Sequence, residues 1–336
     1  MKIAVIGSGA IGGLVAGYLK HRKEDVFLVG RGKTVEAIAK DGLHISGTRG
    51  NIDVRIDISH KLELWADLVV LAMKTQDIDK FLKDNLLYLK NTTVLTTQNG
   101  IQADKILANH IRKNNIISSI VMFGSTYEEP NKITHNFEGK WIIGRPFIKN
   151  DSQVKAVSGA LNNIFPVVIS DGILGMKWLK VFVNASNCLP AILGKSMQDA
   201  FKHLEACKIS IAIWKEGLEL TRRTETKLAS LPDFPLERVE KLTVMPVEDA
   251  ARIFSGIMTN LSREPLYGSI LQSIKRGRPS EIDYINGEFV SLAKGFGLSA
   301  PLNNKLVNLV HKVERTKKFL SLAELTEETK EFLRRA

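Results

Sequence analysis

Three glycines near the start of the chain have the spacing that holds a phosphate group. An apolar segment, residues 2–7, leads through Gly7, Gly9 and Gly12 into a helical pattern. In this context the first glycine allows a sharp turn, the second a close approach of the backbone to a pyrophosphate, and the third close packing of the helix on the sheet. The helix N-terminus adds free N–H groups and a positive dipole end. We predict a dinucleotide site formed by Gly7, Ser8, Gly9, Ala10, Ile11 and Gly12.

The residue after the second predicted strand, residues 26–30, distinguishes the two nicotinamide dinucleotides. NAD sites of this kind place an acidic side chain there, which binds the ribose 2′-OH. This chain has Arg31 instead. A guanidinium binds a phosphate through two hydrogen bonds, whereas a carboxylate repels it. We therefore predict NADP(H), with a solvated loop charge as the alternative role of Arg31.

A helix of otherwise apolar character carries polar residues that suit carbonyl reduction. Lys180 and Asn184 are four residues apart and share a helix face, and Asn187 lies nearly in line with them. Polar groups in such a helix are costly unless they are paired or face a cleft. A developing alkoxide needs a proton or a strong hydrogen-bond donor, which a lysine provides. The alternative is a solvated polar stripe.

Three further positions each have a functional and a purely structural interpretation. Lys74 and Asn99 follow predicted buried strands, whose ends face the ligand crevice in a parallel sheet. They would contact the dinucleotide, or they are a surface lysine and a common Asn-Gly turn. Glu281 either reaches a substrate hydroxyl or belongs to the first turn of a helix, where Ser280 and Asp283 form a capping box.

Alternating strand and helix signals in the first half predict a doubly wound parallel sheet. The strand candidates are 2–7, 26–30, 67–73, 93–97 and 116–123, with helices between them, such as 11–21 and 76–88. Residues 132–145 are predicted to add to this sheet in antiparallel fashion, and 151–170 to complete it.

Amphipathic helical patterns dominate the second half, at 173–193, 197–223, 247–260, 281–296 and 301–314. Between them, 224–246 is predicted to be irregular. The fourth helix has a predicted core stripe formed by Ile282, Ile285, Phe289, Leu292 and Phe296. The predicted fold is therefore α/β, with a Rossmann-type NADP-binding domain over 1–171 and an all-α substrate and dimerisation domain over 172–336.

Composition narrows the class of protein further. The two cysteines, Cys188 and Cys207, give neither a disulfide framework nor zinc-ligand spacing, so we expect no metal and a reducing, cytoplasmic compartment. No apolar run is long enough for a membrane span. The net charge of +11 comes from scattered lysines, which favours attraction of anionic small molecules over a nucleic-acid site.

Together these segments resemble the ketopantoate reductase (2-dehydropantoate 2-reductase) family over nearly the whole chain. The positions that carry the resemblance are Gly7 to Gly12, Arg31, Lys74, Gln98-Asn99-Gly100, Gly124-Ser125-Thr126 through His135, Ile142-Ile143-Gly144, Lys180 with Asn184, Ser269, and Glu281 to Gly287. The resemblance implies reduction of an α-keto acid with NADPH, giving pantoate for pantothenate and coenzyme A synthesis, by a homodimer that associates through its helical domain.

The resemblance also implies roles for individual residues. Lys180 would be the catalytic general acid, and Glu281 would orient the substrate or the nicotinamide ribose. Substrate contacts would come from Asn99, Asn184 and Ser269, and further cofactor contacts from Lys74 and Thr126.

The chain departs from the family pattern at three places. Cys188 stands where the family usually has an asparagine, so either Asn187 substitutes for it or the substrate differs. Asp77 stands where the family favours glutamine, and residues 224–250 match poorly. The alternatives are therefore a related NADP(H)-dependent reductase of another 2-keto acid and a non-catalytic NADP(H)-binding regulator.

Overall fold

The computed structural model describes residues 1–262 and 264–333. The chain forms two compact units, Met1–Ile173 and Leu174–Ala336. The strands of the first unit, in chain order, are β1 Ile3–Ile6, β2 Val26–Val29, β3 Leu43–Gly47, β4 Ile52–Val54, β5 Asp57–Ser59, β6 Leu68–Leu71, β7 Thr93–Thr96, β8 Ile116–Val121, β9 Gly124–Glu129, β10 Lys132–Phe137, β11 Trp141–Gly144 and β12 Val167–Ile169. Its helices are α1 Ala10–His21, α2 Lys33–Asp41, α3 Thr75–Leu89, α4 Gln102–Ala108 and α5 Ser152–Asn162.

An eight-stranded sheet, in the order β12-β11-β8-β7-β6-β1-β2-β5, forms the centre of the first unit. All neighbours from β8 to β5 pair in parallel. Its central strands β1, β2 and β6 are apolar throughout and fully buried, as expected for a parallel sheet covered on both faces. Ile3 and Val5 pack with α1 in one core, whereas Ala4 and Ile6 pack with α3 and α4 in the other. This arrangement confirms the predicted doubly wound sheet.

A second sheet, in the order β4-β3-β10-β9, was not predicted from the sequence. The antiparallel addition is correct for β11, which pairs with β8, but wrong for β10, which pairs with β3 and β9. Ile133 and His135, two positions apart on β10, are both buried. A Cβ on Gly13 of α1 would collide with Ile133, and a Cβ on Gly17 would collide with Ile45 of β3. The bare face of α1 therefore fits the second sheet closely.

Helices are the regular elements of the second unit in its described part, as predicted, but several boundaries differ. Its helices are α6 Ile173–Ala185, which begins one residue before the unit boundary, α7 Cys188–Leu193, α8 Met197–Phe201, α9 Leu204–Arg223, α10 Leu236–Val244, α11 Val247–Thr259, α12 Ser269–Lys275, α13 Asn286–Gly295, α14 Pro301–Thr316 and α15 Leu322–Leu333. The predicted helix 173–193 is divided because Pro190 has no N–H for the Ser186 carbonyl. The predicted helix 197–223 is divided at 202–203. The segment 224–246 is not wholly irregular, because α10 follows Pro235 at its N-cap.

The predicted helix 281–296 is also shorter in the structure. A 3-10 turn, Ile282–Tyr284, precedes α13, whose N-cap residue is Ile285. The capping box is therefore wrong: the Ser280 hydroxyl accepts a hydrogen bond from the Ile282 N–H at 3.3 Å and caps no long helix. Phe296 is 59% exposed because it follows the end of α13, and it does not belong to the predicted core stripe.

Candidate functional site

The glycine loop between β1 and α1 has the geometry that its spacing predicts. Gly7 has a φ of 110°, and a Cβ there would lie 2.8 Å from the backbone of Ala72 and Met73, just after β6. A Cβ on Gly12 would collide with the Gly7 carbonyl oxygen. The turn and the close helix packing therefore both require glycine at these positions.

Gly9 has a different reason to be glycine. A Cβ built on it meets no atom of the chain within 4 Å, so its bare backbone faces open space. It is the N-cap of α1, where no side chain caps the helix and no acidic residue lies in the first turn. Helix N–H groups without a side-chain cap and an unobstructed approach fit an anionic pyrophosphate.

Two strand ends beside this loop carry Lys74 and Asn99. β6 and β7 are parallel neighbours, so the segments after them leave the same edge of the sheet. Lys74 is the N-cap residue of α3, and Asn99 precedes Gly100, whose φ of 81° confirms the predicted positive φ. Both side chains are partly buried. The structure thus places Lys74 and Asn99 at the edge where Gly7 turns.

Gln98 has a structural role that the sequence interpretation missed. Its buried amide donates hydrogen bonds to the carbonyl oxygens of Leu71 at 2.9 Å and Met73 at 2.8 Å. It therefore ties the segment after β7 to the end of β6 and fixes the backbone before Asn99. The sequence does not reveal this role, because the role depends on the burial of the Gln98 amide between two strand ends.

Arg31 lies just beyond β2 and forms an ion pair that the sequence did not reveal. Its Nη1 is 3.3 Å from Oδ2 of Asp77, in the first turn of α3. Both side chains are exposed to solvent. Arg31, the candidate for phosphate binding, and Asp77, a departure from the family pattern, are therefore neighbours in space.

Thr126 lies on β9 in the second sheet, whereas the glycine loop extends from the main sheet. Its hydroxyl accepts a hydrogen bond from Nδ2 of Asn136 at 2.9 Å. The next residue, Tyr127, hydrogen-bonds through its hydroxyl to Oγ1 of Thr34 on α2 at 2.7 Å. β9 is thereby held beside the start of α2, close in sequence to Arg31.

In the second unit, Lys180 and Asn184 are partly buried residues of α6, most of which is buried. Burial lowers the pKa of the Lys180 ammonium from 10.5 to about 8, since a desolvated charge is disfavoured. The sequence predicted Asn187 on the same helix as Lys180 and Asn184. In the structure it is instead the N-cap residue of α7. Its N–H still bonds to the Asn184 carbonyl at 2.9 Å, so Asn187 stays within one turn of Asn184 across the helix break.

Ser269 and Glu281 lie on segments of the second unit that follow each other in the chain. Ser269 is the exposed first residue of α12. A Cβ on the preceding Gly268 would lie 3.5 Å from Cβ of Asn187, so the start of α12 runs beside that asparagine. Glu281 is partly buried, and its carbonyl accepts the Tyr284 N–H at 3.0 Å.

Cys188 faces the interior of the second unit. It is completely buried, in a helix whose six residues are all buried, and burial raises the pKa of its thiol. An internal polar chain nearby was missed by the sequence interpretation: Asn286 donates to Asn303 at 2.9 Å, and Asn303 donates to Glu216 at 2.8 Å. Position 188 therefore offers no amide to a ligand.

The described residues contain no group of three or more His, Cys, Asp or Glu side chains that could hold a metal ion. Among the same residues, no helix combines the length and the apolarity that crossing a membrane requires.

Comparison with known proteins identifies the class. The family model described as ketopantoate reductase PanE/ApbA matches residues 3–146, and the model of the C-terminal part of that family matches residues 172–314. A 2-dehydropantoate 2-reductase of Pyrococcus horikoshii is 32% identical over 315 residues, which cover 92% of this chain and 96% of the relative.

Two solved structures share the fold. D-mandelate dehydrogenase with NADH and anilino(oxo)acetate superimposes with a TM-score of 0.82, at 24% identity, over 94% of this chain and 99% of that chain. A PanE/ApbA family ketopantoate reductase from Ralstonia eutropha gives a TM-score of 0.77, at 25% identity, with the same coverage. The chain is an oxidoreductase with a doubly wound α/β unit followed by a helical unit. It belongs to the ketopantoate reductase family.

Proposed function

We propose that this chain reduces 2-dehydropantoate to pantoate with NADPH, in pantothenate and coenzyme A biosynthesis. The observation that carries the proposal is a lysine of lowered pKa, Lys180, one helical turn from the amide of Asn184. The Pyrococcus horikoshii relative supports the substrate, since it is named for this reaction and matches nearly the whole chain.

The coenzyme would supply a hydride to the keto carbon. The open α1 N-terminus after Gly9 supports pyrophosphate binding by the loop. Arg31 would bind the ribose 2′-phosphate, and this assigns NADP(H) over NAD(H). Lys74, Asn99, Thr126 and Glu281 are the further contacts that we assign to the coenzyme.

Lys180 would donate a proton from Nζ to the carbonyl oxygen as negative charge develops there. A pKa of about 8 leaves the amine protonated at pH 7, yet it releases its proton more readily than an ordinary lysine. Asn184, Asn187 and Ser269 offer amide and hydroxyl groups to the polar ends of the substrate. Glu281 would orient the substrate or the nicotinamide ribose.

The proton donor predicts the pH dependence of turnover. A general acid acts only when protonated, so kcat/KM should be level near pH 7 and should fall about tenfold per unit well above pH 8. Steady-state rates from pH 6 to 10, with the coenzyme Kd measured at each pH, provide the test. A rate that is still level at about pH 9 would contradict the assigned environment of Lys180, because a lysine with its ordinary pKa of 10.5 stays protonated there.

The function itself is tested by following NADPH oxidation at 340 nm with ketopantoate beside a panel of other 2-keto acids. We expect saturable turnover with the highest kcat/KM for ketopantoate. Activity on another keto acid alone would mean that the assigned substrate is wrong and the assigned reaction is right. Silence across the panel with intact NADPH binding would favour the non-catalytic regulator.

Cys188 favours a second candidate, a related reductase of another 2-keto acid. The thiol is buried and replaces an amide that the family usually carries, so one hydrogen bond to a ketopantoate-like substrate is missing unless Asn187 supplies it. The same panel separates the two candidates. A cytoplasmic location, a homodimer and the absence of nucleic-acid binding stay predictions.

A further inference from the structure

The ion pair between Arg31 and Asp77 joins two segments that are 46 residues apart in the chain. Arg31 follows β2, and Asp77 is the third residue of α3. A single contact of 3.3 Å, from Nη1 to Oδ2, connects them, and their side chains are 71% and 42% exposed. It is thus a one-point contact at the surface, and it uses one of the five N–H donors of the guanidinium.

We propose that Asp77 weakens the preference of this chain for NADP(H) over NAD(H) by competing with the 2′-phosphate for Arg31. The inference rests on the proposed function only in taking the ligand of Arg31 to be the coenzyme. Asp77 is a positioning residue here, because it acts through the guanidinium that it holds.

The helix α3 fixes the position of Asp77. Its N–H bonds to the carbonyl of Lys74 at 3.0 Å, so it belongs to the first turn of a 15-residue helix. The positive end of the helix dipole stabilises a carboxylate in this turn. The Asp77 carboxylate therefore lies against the one cation that is assigned to the phosphate.

The competition affects only one of the two coenzymes. NADPH carries a 2′-phosphate with about two negative charges, which must share Arg31 with Asp77 or displace it. NADH carries a hydroxyl at this position and gains little from a free guanidinium. Because the pair is exposed and water screens it, the effect is modest, on the order of fivefold in affinity.

The test is Asp77→Asn, which keeps the size of the side chain and removes its charge. The Kd of NADPH and of NADH is measured by nucleotide fluorescence on the full chain. We expect the NADPH Kd to fall about fivefold and the NADH Kd to stay within about twofold, with the gain shrinking in 0.5 M salt. An unchanged NADPH Kd, or equal shifts for both coenzymes, would overturn the proposal.

A matched control lies on the same helix. Asp84 pairs with Lys80 at 2.8 Å and is similarly exposed, so Asp84→Asn makes the same change of charge away from Arg31. It should leave both dissociation constants unchanged. If it improves NADPH binding as much as Asp77→Asn does, the effect is one of net charge and the proposed competition is wrong.

A double variant shows whether Asp77 acts through Arg31. In an Arg31→Ala background, Asp77→Asn should lose most of its effect on NADPH, because there is no guanidinium to release. An undiminished effect would mean direct repulsion and would overturn the competition.

These binding measurements stand apart from turnover. If the chain does not reduce ketopantoate, the proposed substrate is wrong, but the binding measurements remain valid. A selective effect of Arg31→Ala without one of Asp77→Asn overturns this inference and leaves the coenzyme assignment intact.

Discussion

Replacing Lys180 with alanine is expected to lower kcat at least about 100-fold and to leave the NADPH Kd within about twofold. The variant removes the only group that we assign as proton donor to the carbonyl oxygen. It leaves the glycine loop and Arg31 untouched, so coenzyme binding should persist. Single-turnover rates of NADPH oxidation, with the NADPH Kd and the melting temperature measured on the same samples, test the expectation.

Lys180→Arg is the informative control for that variant. Arginine keeps a positive charge on a long side chain, but its guanidinium is too weak an acid to give up a proton in a protein. If the proton is essential, the arginine variant remains slow and the decline of the rate near pH 8 disappears from its profile. Wild-type turnover in the alanine variant would exclude Lys180 as the proton donor, whatever the arginine variant shows.

The backbone features that the sequence predicted correctly depend on local geometry. Gly7 and Gly12 act within one strand–turn–helix unit, so their spacing already implies a sharp turn and close packing. The positive φ of Gly100 likewise follows from its own strand end. The turn at Gly7 and the contact of Gly12 with the Gly7 carbonyl involve only residues of this unit, and those are close together in the sequence.

The parts that were missed depend on partners far away in the chain. Nothing near Ile133 in the sequence shows that β10 pairs with β3 rather than extending the main sheet. The same holds for Arg31, whose partner Asp77 lies on a later helix. Strand pairing and surface ion pairs are decided by the assembled fold, which an unaligned sequence does not reveal.

The predicted start of the helix 281–296 was wrong for a related reason. Ser280 and Asp283 have the spacing of a capping box, but the chain forms a 3-10 turn before α13 begins at Asn286. Burial of Ile282 and Ile285 in the core outweighs the local capping preference. Glu281 consequently lies just before a turn rather than in a helix, which changes the direction available to its side chain.

Arg31→Ala is expected to weaken NADPH binding about 10- to 100-fold and NADH binding by no more than about threefold. Hydrogen bonds between charged groups contribute about 1.5–3 kcal/mol, and only NADPH has the phosphate that makes them. The ratio of the two Kd values is therefore the quantity to measure.

A suitable control is Arg112→Ala, which removes another exposed arginine of the first unit, one that donates to Asn91 at 2.6 Å. It should change neither coenzyme's Kd beyond about twofold, because a general loss of positive charge acts weakly through water. Equal losses for NADPH and NADH in Arg31→Ala would show that Arg31 does not read the 2′-phosphate. The assignment of NADP(H) would then fail, while the pyrophosphate site at Gly9 would stand, since that site serves both coenzymes alike.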